Sequence, residues 1–265
     1  MKANKHIERD GQSATTIFDN RGLRTDYRTL QPFLKKGMKV LDVGCGTGSI
    51  SRDIAQIVGP SGRVTGIDNT LRFIESGRQT YRNQENLELI HCDLFDFESD
   101  EPFDLITSAR ALQWMSNPKK ALVKMKSLLL PGGTISVLDY DHTGLEWNPE
   151  PPKSMEEFYS IFLKWREDAG LNNQMAKDLA TIMQEIGLES IEIYNSDEHY
   201  DRSRPDFHAK VGIWSQVAGS QQMVKEGYLD EELRLQAISD YNHWVEKEAV
   251  SMTMKLNEVR GKSSP

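Results

Sequence analysis

The stretch KVLDVGCGTGSI, residues 39–50, decides the fold. An apolar run ending at Val43 is followed by Gly44, Gly46 and Gly48 at alternate positions. Glycine has the most backbone freedom to lose on folding, so three so close together mark a place where side chains are not tolerated. The pattern predicts a strand running into a tight loop, with bare backbone offered to a ligand. A helix should start at Ser49, because Ile50, Ile54, Ala55 and Val58 recur at helical spacing.

Working outward, GPSG (59–62) stops that helix, RVTGID (63–68) reads as a second strand and residues 71–81 as a second helix. LELIHCD (87–93) and FDLITS (103–108) are strands three and four. Pro118 opens a helix running to Leu130, PGG (131–133) breaks it, and TISVLD (134–139) is the fifth strand. Strands alternating with helices of this length call for an α/β fold, a mostly parallel sheet with helices on both faces. Its crossovers should be right-handed, and its ligands should sit at the carboxyl ends of the strands.

The rhythm changes after Asp139. HTGLEWNPEPPKS (142–154) reads as a proline-rich connector, followed by a helix with Met155, Phe158, Phe162 and Trp165 along one face. Leu179, Ile182, Met183 and Ile186 mark another helix, LESIEIY (188–194) a sixth strand, and residues 205–248 a largely helical stretch. VSMTMKLNEV (250–259) alternates as a closing strand should, and the polar RGKSSP tail is expected to fray. Four segments follow: N-terminal helices over the ligand site (1–36), a ligand-binding core (37–141), a helical cap with the sixth strand on the substrate side (142–248), and the last strand and tail (249–265). All five tryptophans lie beyond strand four, either as bulky packing residues or as part of an aromatic-rich substrate pocket.

Charge and cysteine usage narrow the function classes. With 32 basic and 40 acidic residues the net charge is −8, which argues against a dedicated nucleic-acid binder. The two cysteines, Cys45 and Cys92, have no metal-ligand spacing and read as free thiols in a reducing compartment. MKANKHIERDGQS at the start is polar, and no apolar run approaches the ~20 residues of a membrane span. The expectation is a cytoplasmic protein with no membrane or nucleic-acid partner.

Three carboxylates give the glycine loop its meaning. The loop reads G-x-G-x-G, with Ser49 where the dinucleotide fingerprint G-x-G-x-x-G wants glycine. Asp42 stands just before it, where a pyrophosphate would be repelled and a cation welcomed. Asp68 closes strand two, placed to accept from both hydroxyls of a ribose. Asp93 follows strand three and suits an adenine amino group. Together they describe a nucleoside with a positive, phosphate-free tail, the shape of S-adenosylmethionine. The plainer alternatives are that Asp42 satisfies nearby backbone amides, that Asp68 and Asp93 are ordinary loop carboxylates, and that Cys45 is simply a small residue that fits.

VLDVGCGTG, GID, HCDLFDF, FDLITSARALQW and LLLPGGTISVLD, in this order, resemble the successive motifs of the class I S-adenosylmethionine-dependent methyltransferases, above all their small-molecule branch. The resemblance implies a Rossmann-like sheet of seven strands, the last antiparallel, under a helical cap. Carried over, it implies that Asp42, Gly44, Cys45, Gly46 and Gly48 border the methionyl part and that Asp68 and Asn69 hold the ribose and adenine. Asp93 and Leu94 would face the adenine edge, Ser108 and Ala109 the methionine, and Tyr27 and Arg24 would close over the cofactor.

The acceptor is less defined. ALQW (111–114) resembles methyltransferases that esterify carboxylic acids, such as trans-aconitate or a carrier-bound malonyl group, which would put Gln113 and Trp114 beside the acceptor. Ubiquinone- and menaquinone-type C-methyltransferases resemble the core equally well. Packing of the next helix by Leu112 and Trp114 is the plain reading. No acid follows strand four, so no metal is expected. His142 is the first candidate proton acceptor, with Tyr140 as a substrate neighbour; an exposed loop histidine is its alternative. The readings left open are methyl transfer to a small molecule, a nucleotide-dependent oxidoreductase, disfavoured by Asp42 and the early third glycine, and a cofactor-binding protein without turnover.

Overall fold

The structure, a computed structural model, describes residues 21–265. These divide into two compact units, one of residues 21–139, 175–196 and 256–265, the other of residues 140–174 and 197–255.

The first unit is built on the sheet predicted above. Its strands are β1 (Lys39–Val43), β2 (Arg63–Asp68), β3 (Leu87–His91), β4 (Phe103–Ala109), the start of β5 (Leu129–Asn148), β6 (Glu189–Asn195) and the end of β8 (Ser251–Lys262). The order is β3-β2-β1-β4-β5-β8-β6. β1 pairs in parallel with β2 and β4, β2 with β3, and β4 with β5, while β6 pairs antiparallel with β8. The switch of strand order at β1 places the ends of β1 and β4 side by side, with Asp42 level with Thr107. That is where an open α/β sheet receives its ligand.

The helices of this unit are α1 (Leu23–Asp26), α2 (Ser49–Val58), α3 (Leu71–Thr80), α4 (Pro118–Ser127) and, later in the chain, α6 (Met175–Glu185). Helix α2 buries Ile50, Ile54, Ala55 and Val58, the stripe read from the sequence. Helix α4 begins with proline at its first position, and Asn117 Oδ1 accepts from Lys120 N at 2.9 Å.

The second unit holds α5 (Lys153–Asp168), α7 (Phe207–Val211), α8 (Ile213–Ala218), α9 (Gln222–Lys225) and α10 (Glu231–Lys247). Helix α10 packs on α5 and α8, burying Ala237, Tyr241 and Trp244. The far half of β5, the start of β8 and a short strand β7 (Glu198–Asp201), which pairs antiparallel with β8, complete it.

Several expectations are corrected. Strand β5 begins at Leu129 rather than at 134 because PGG is a bulge within it. Phe103 pairs with Leu129 but Leu105 pairs with Thr134, so the extra residues are looped out. The bulge is pinned by Gly132 N to Ser264 O (3.1 Å) and Ser263 N to Gly133 O (2.9 Å), so the tail is held rather than frayed. Residues 142–148 are strand, not connector; Pro149, Pro151 and Pro152 come only after it ends. The sixth strand and α6 belong with the core, not with a cap spanning 142–248. Met175, Leu179 and Met183 of α6, with Leu188 just ahead of β6, share an apolar cluster with Phe97, Phe103 and Met125. An eighth strand, β7, was not anticipated. Of the segment 1–36, residues 1–20 lie outside those described; Leu23, Tyr27, Leu30 and Leu34 are buried in the core unit.

Candidate functional site

The loop after β1 turns tightly on left-handed glycines. Gly44 has φ +72°, and a Cβ there would lie 2.5 Å from the Ala111 methyl; Gly48 has φ +79°, and a Cβ would lie 2.7 Å from Leu89 Cδ2. Gly44 N and Cys45 N both donate to Ile67 O, at 2.8 and 3.0 Å, which fastens the loop to the end of β2. Gly48 then caps α2.

A small open cleft lies on this loop, lined by Arg21, Asp42, Gly44, Cys45, Ser49, Ile50 and Ala109. Of the residues named from the sequence, Asp42, Gly44, Cys45 and Ala109 meet at its wall. Asp42 is buried and accepts the Ser51 hydroxyl at 2.5 Å. Burial pushes its carboxyl up to about 6, a rise that Ser51 opposes and the Asp68 carboxylate adds to. Burial, with the charges of Asp42 and Asp68, also holds the Cys45 thiol well above its usual range, so it is no thiolate nucleophile.

Asp68 serves the loop directly. Its Oδ2 accepts Gly46 N and its Oδ1 accepts Thr70 N, each at 2.9 Å. A carboxylate oxygen has two acceptor sites, so each still has one for a hydroxyl. Asn69 is exposed beside it.

Other residues named from the sequence do not line the cleft. Ser108 is buried and donates to Val43 O at 2.9 Å, tying β4 to β1. Asp93 is exposed and accepts Phe95 N in a local turn, and Leu94 joins the apolar core. Leu112–Trp114 forms a 3-10 turn in which Gln113 is buried; its backbone N donates to Asp139 at 3.0 Å and its side-chain amide to Arg110 O at 3.3 Å.

Neither Tyr27 nor Arg24 is among the residues that line the cleft. Tyr27 is buried, with its hydroxyl 2.7 Å from Ser136 Oγ. Ser136 gives its own proton to Glu258 at 2.6 Å, so Tyr27 is the donor to it. Burial, and next the Glu258 carboxylate, hold the phenol well above its usual range. Arg24 is exposed. The basic residue at the cleft is Arg21, three positions earlier. Sequence reading missed it because a basic residue ahead of β1 carries no periodicity to distinguish it from its neighbours. Ser49 and Ser51 were missed as well; the one available signal was Ser49 in place of the fingerprint's third glycine.

In the second unit His142 lies on β5, buried, which corrects its reading as an exposed loop residue. Its ring centroid is 5.3 Å from Tyr140, 6.1 Å from Phe162 and 6.2 Å from Trp214. Its backbone N donates to Asn173 O at 2.8 Å and its carbonyl accepts the Tyr159 hydroxyl at 2.6 Å. Burial, and then the Arg166 charge, push the imidazole well below its ordinary range, so it is neutral at pH 7.

The sequence profile of a family described as "Methyltransferase domain" matches residues 34–195, more than half of the chain. The chain belongs to this methyltransferase-domain family. Its form is class I, whose methyl donor is S-adenosylmethionine, and the oxidoreductase alternative falls away. Demethylmenaquinone methyltransferase of Staphylococcus aureus is 36% identical over 133 residues, covering 50% of this chain and 52% of that protein. The chain thus spans about half the length of the curated relatives it matches. Among solved structures, the YcgJ protein of Bacillus subtilis superposes with a TM-score of 0.59 at 15% identity, covering 91% of this chain and 99% of that one. A phosphoethanolamine N-methyltransferase of Haemonchus contortus, in complex with S-adenosylmethionine, gives 0.55 at 16% identity over 99% of this chain and 55% of its own. At these identities the likeness establishes the fold.

The methyltransferase-domain cleft suits that donor chemically. The Gly44 backbone lines it, Asp42 supplies a negative charge, and Asp68 beside the loop keeps acceptor capacity. Among the described residues, no helix is long and apolar enough to cross a membrane.

Proposed function

We propose that the chain transfers a methyl group from S-adenosylmethionine to a small-molecule acceptor. The observation that carries this is the cleft in which the bare loop from Gly44 to Gly48 meets Asp42 and Ala109, beside the Asp68 carboxylate. When bound, the donor supplies a sulfonium-activated methyl for direct displacement. The chain's own residues bind and orient. Asp42 offers a negative charge to the cationic end, the loop leaves room for the methionyl chain, and Asp68 accepts from the ribose. Asn69, Asp93 and the backbone of Leu94 at the neighbouring strand ends are assigned to the adenine side, with Gln113 and Trp114 toward the acceptor. A base is needed only where the acceptor keeps its proton at neutral pH, so alignment and exclusion of water make up the rest of the task.

Two acceptor chemistries have support. The resemblance of ALQW favours a carboxylate. The Staphylococcus aureus relative, named for a demethylmenaquinone acceptor, favours a ring-bearing one. The test is incubation with methyl-labelled donor and a metabolite extract, followed by mass identification of the labelled product. Mild base releases label from a methyl ester and leaves a carbon-bound methyl in place. No donor binding by calorimetry and no label in any product would sink the proposal.

A further inference from the structure

We infer that the sheet unit binds one buried water molecule beside the Tyr27 hydroxyl, held by Thr107 Oγ1 and Glu258 Oε2. The register brings these groups together. Asp42 of β1 is level with Thr107 of β4, and Thr107 with Ser136 of β5, so the three side chains form a row on one face of the sheet. Ser136 carries the row to β8 by donating to Glu258 Oε1 at 2.6 Å. Thr107, Ser136 and Glu258 are all fully buried. Burial and then the Glu258 charge raise the Tyr27 phenol, while the Ser136 and Thr107 hydroxyls lower it, so the three groups surround that hydroxyl. Thr107 Oγ1 and Glu258 Oε2 still complete no hydrogen bond to any described residue. Buried oxygens in that condition destabilise a fold unless a further molecule bonds them.

Charge decides the kind of molecule. Arg260 Nε already meets the Glu258 carboxylate, donating to Oε1 at 2.5 Å. A metal cation would leave excess positive charge in the core, and an anion would face the carboxylate; either is costly to bury. A small neutral molecule that both donates and accepts fits. Water can accept the Thr107 proton and give its own two to Glu258 Oε2 and to the Tyr27 oxygen, whose proton is committed to Ser136. About three such bonds are usual for a buried water. The ion pair it completes has a task. Arg260 also donates to Thr29 O at 2.5 Å, and its guanidinium lies over the rings of Phe33 and Tyr194, at 4.8 and 4.3 Å. The water thus finishes the solvation of the carboxylate whose partner fastens the segment around Thr29 and Phe33 to β8.

Thr107→Val removes the hydroxyl at nearly constant shape, and the sign of its effect depends on the water. If the water is bound, the variant strips it of a partner, and the folding equilibrium constant of the full chain in urea denaturation should fall about 5- to 30-fold. Thr107→Ser keeps the hydroxyl and should stay closer to wild type. If no water is bound, valine replaces an unsatisfied group by an apolar one, and stability should hold or rise. That result, or equal losses in the valine and serine variants, would overturn the inference. A high-resolution crystal structure of the wild-type chain gives a second reading that does not depend on a variant folding. It should show ordered solvent within hydrogen-bonding distance of both Thr107 Oγ1 and Glu258 Oε2. No density beside the two oxygens, or density that strengthens when sodium is exchanged for rubidium and so marks a cation, would equally overturn it.

Discussion

Asp68 Oδ2 accepts the backbone N–H of Gly46 at 2.9 Å, across the gap between the end of β2 and the loop that follows β1. The carboxylate that should hold a ribose is therefore also a strut of the glycine loop. Removing it acts twice. Asp68→Ala should cost about 1–2 kcal/mol of stability from two lost hydrogen bonds to a partly exposed charged group. It should also weaken S-adenosylmethionine and S-adenosylhomocysteine by a similar factor, about 30- to 1,000-fold for a loss of roughly 2–4 kcal/mol. Calorimetry with both ligands, beside urea denaturation, separates the two effects. A folded variant binding both within about threefold of wild type removes Asp68 from the site.

The buried Asp42 makes stability and donor affinity depend on pH in opposite senses. Its folded carboxyl is pushed up to about 6 from 3.8. Between those values the folded state binds the extra proton, so this group's contribution to stability rises as pH falls through 6 toward 4. Its ionised form costs about 2–3 kcal/mol above pH 6, at 1.36 kcal/mol per unit. Asp42→Asn keeps an acceptor for Ser51 and should raise stability at pH 7.5 with a flatter pH profile. The same change should weaken S-adenosylmethionine more than its uncharged-sulfur product. An unchanged ratio of the two affinities would contradict the charge-sensing role.

His142 pulls the other way in an overlapping window. Its folded pKa lies well below the ordinary value, so the unfolded chain binds the proton first. Its contribution is complete above the unfolded value near 6.5 and is lost as pH falls toward the folded one. Unfolding followed from pH 4 to 8 should show the acid-side loss reduced in His142→Phe, which keeps a ring among Tyr140, Phe162 and Trp214. An unaltered acid limb would show that His142 does not titrate on unfolding.

Much of the core was legible in the sequence because its signals are local. The stripe Ile50, Ile54, Ala55 and Val58 and the glycine stop after it gave α2 with both ends correct. Strand β2 was bounded by Arg63 and Asp68 as read. What was missed depends on partners distant in the chain. PGG looks like a break because nothing nearby shows that Ser263 and Ser264 hold it in the sheet. Residues 142–148 look like linker because prolines follow, while Val250 N bonding to Asn148 O lies about a hundred residues away. At the site, Asp42, Gly44, Cys45 and Ala109 stand at strand ends and follow from topology. Arg21 owes its place to Ser49 and Asp53, a tertiary relation without periodicity.

Tyr27 should matter for stability and not for the donor. Its hydroxyl donates into a buried chain through Ser136 to Glu258, which Arg260 also serves at 2.5 Å. Tyr27→Phe leaves Ser136 one partner short and should cost about 1–3 kcal/mol. Donor affinity should stay within threefold. A large affinity loss at unchanged stability would restore Tyr27 to the cofactor site.

Gly77, in the middle of α3, offers the sharpest test of how the loop is packed. In an exposed helix interior, glycine to alanine stabilises by roughly 0.5–1 kcal/mol, because alanine has less freedom to lose. Here a Cβ would lie 2.2 Å from Thr47 O and 2.7 Å from Leu89 Cδ1. Leu89 can shift; the Thr47 carbonyl is backbone within the glycine loop and cannot move without moving the loop. Overpacking of this kind costs about 1–3 kcal/mol, enough to reverse the sign of the helix-propensity gain. Gly77→Ala should therefore lower the urea midpoint and weaken S-adenosylmethionine, although residue 77 does not line the cleft. Gly132→Ala is the control. It also replaces a glycine, but a Cβ there meets nothing within 4 Å and only the φ of +74° opposes it. That variant should lose stability through backbone strain alone and keep donor affinity. Stabilisation by Gly77→Ala, or destabilisation with donor affinity intact, would show that α3 does not hold the loop in its binding shape.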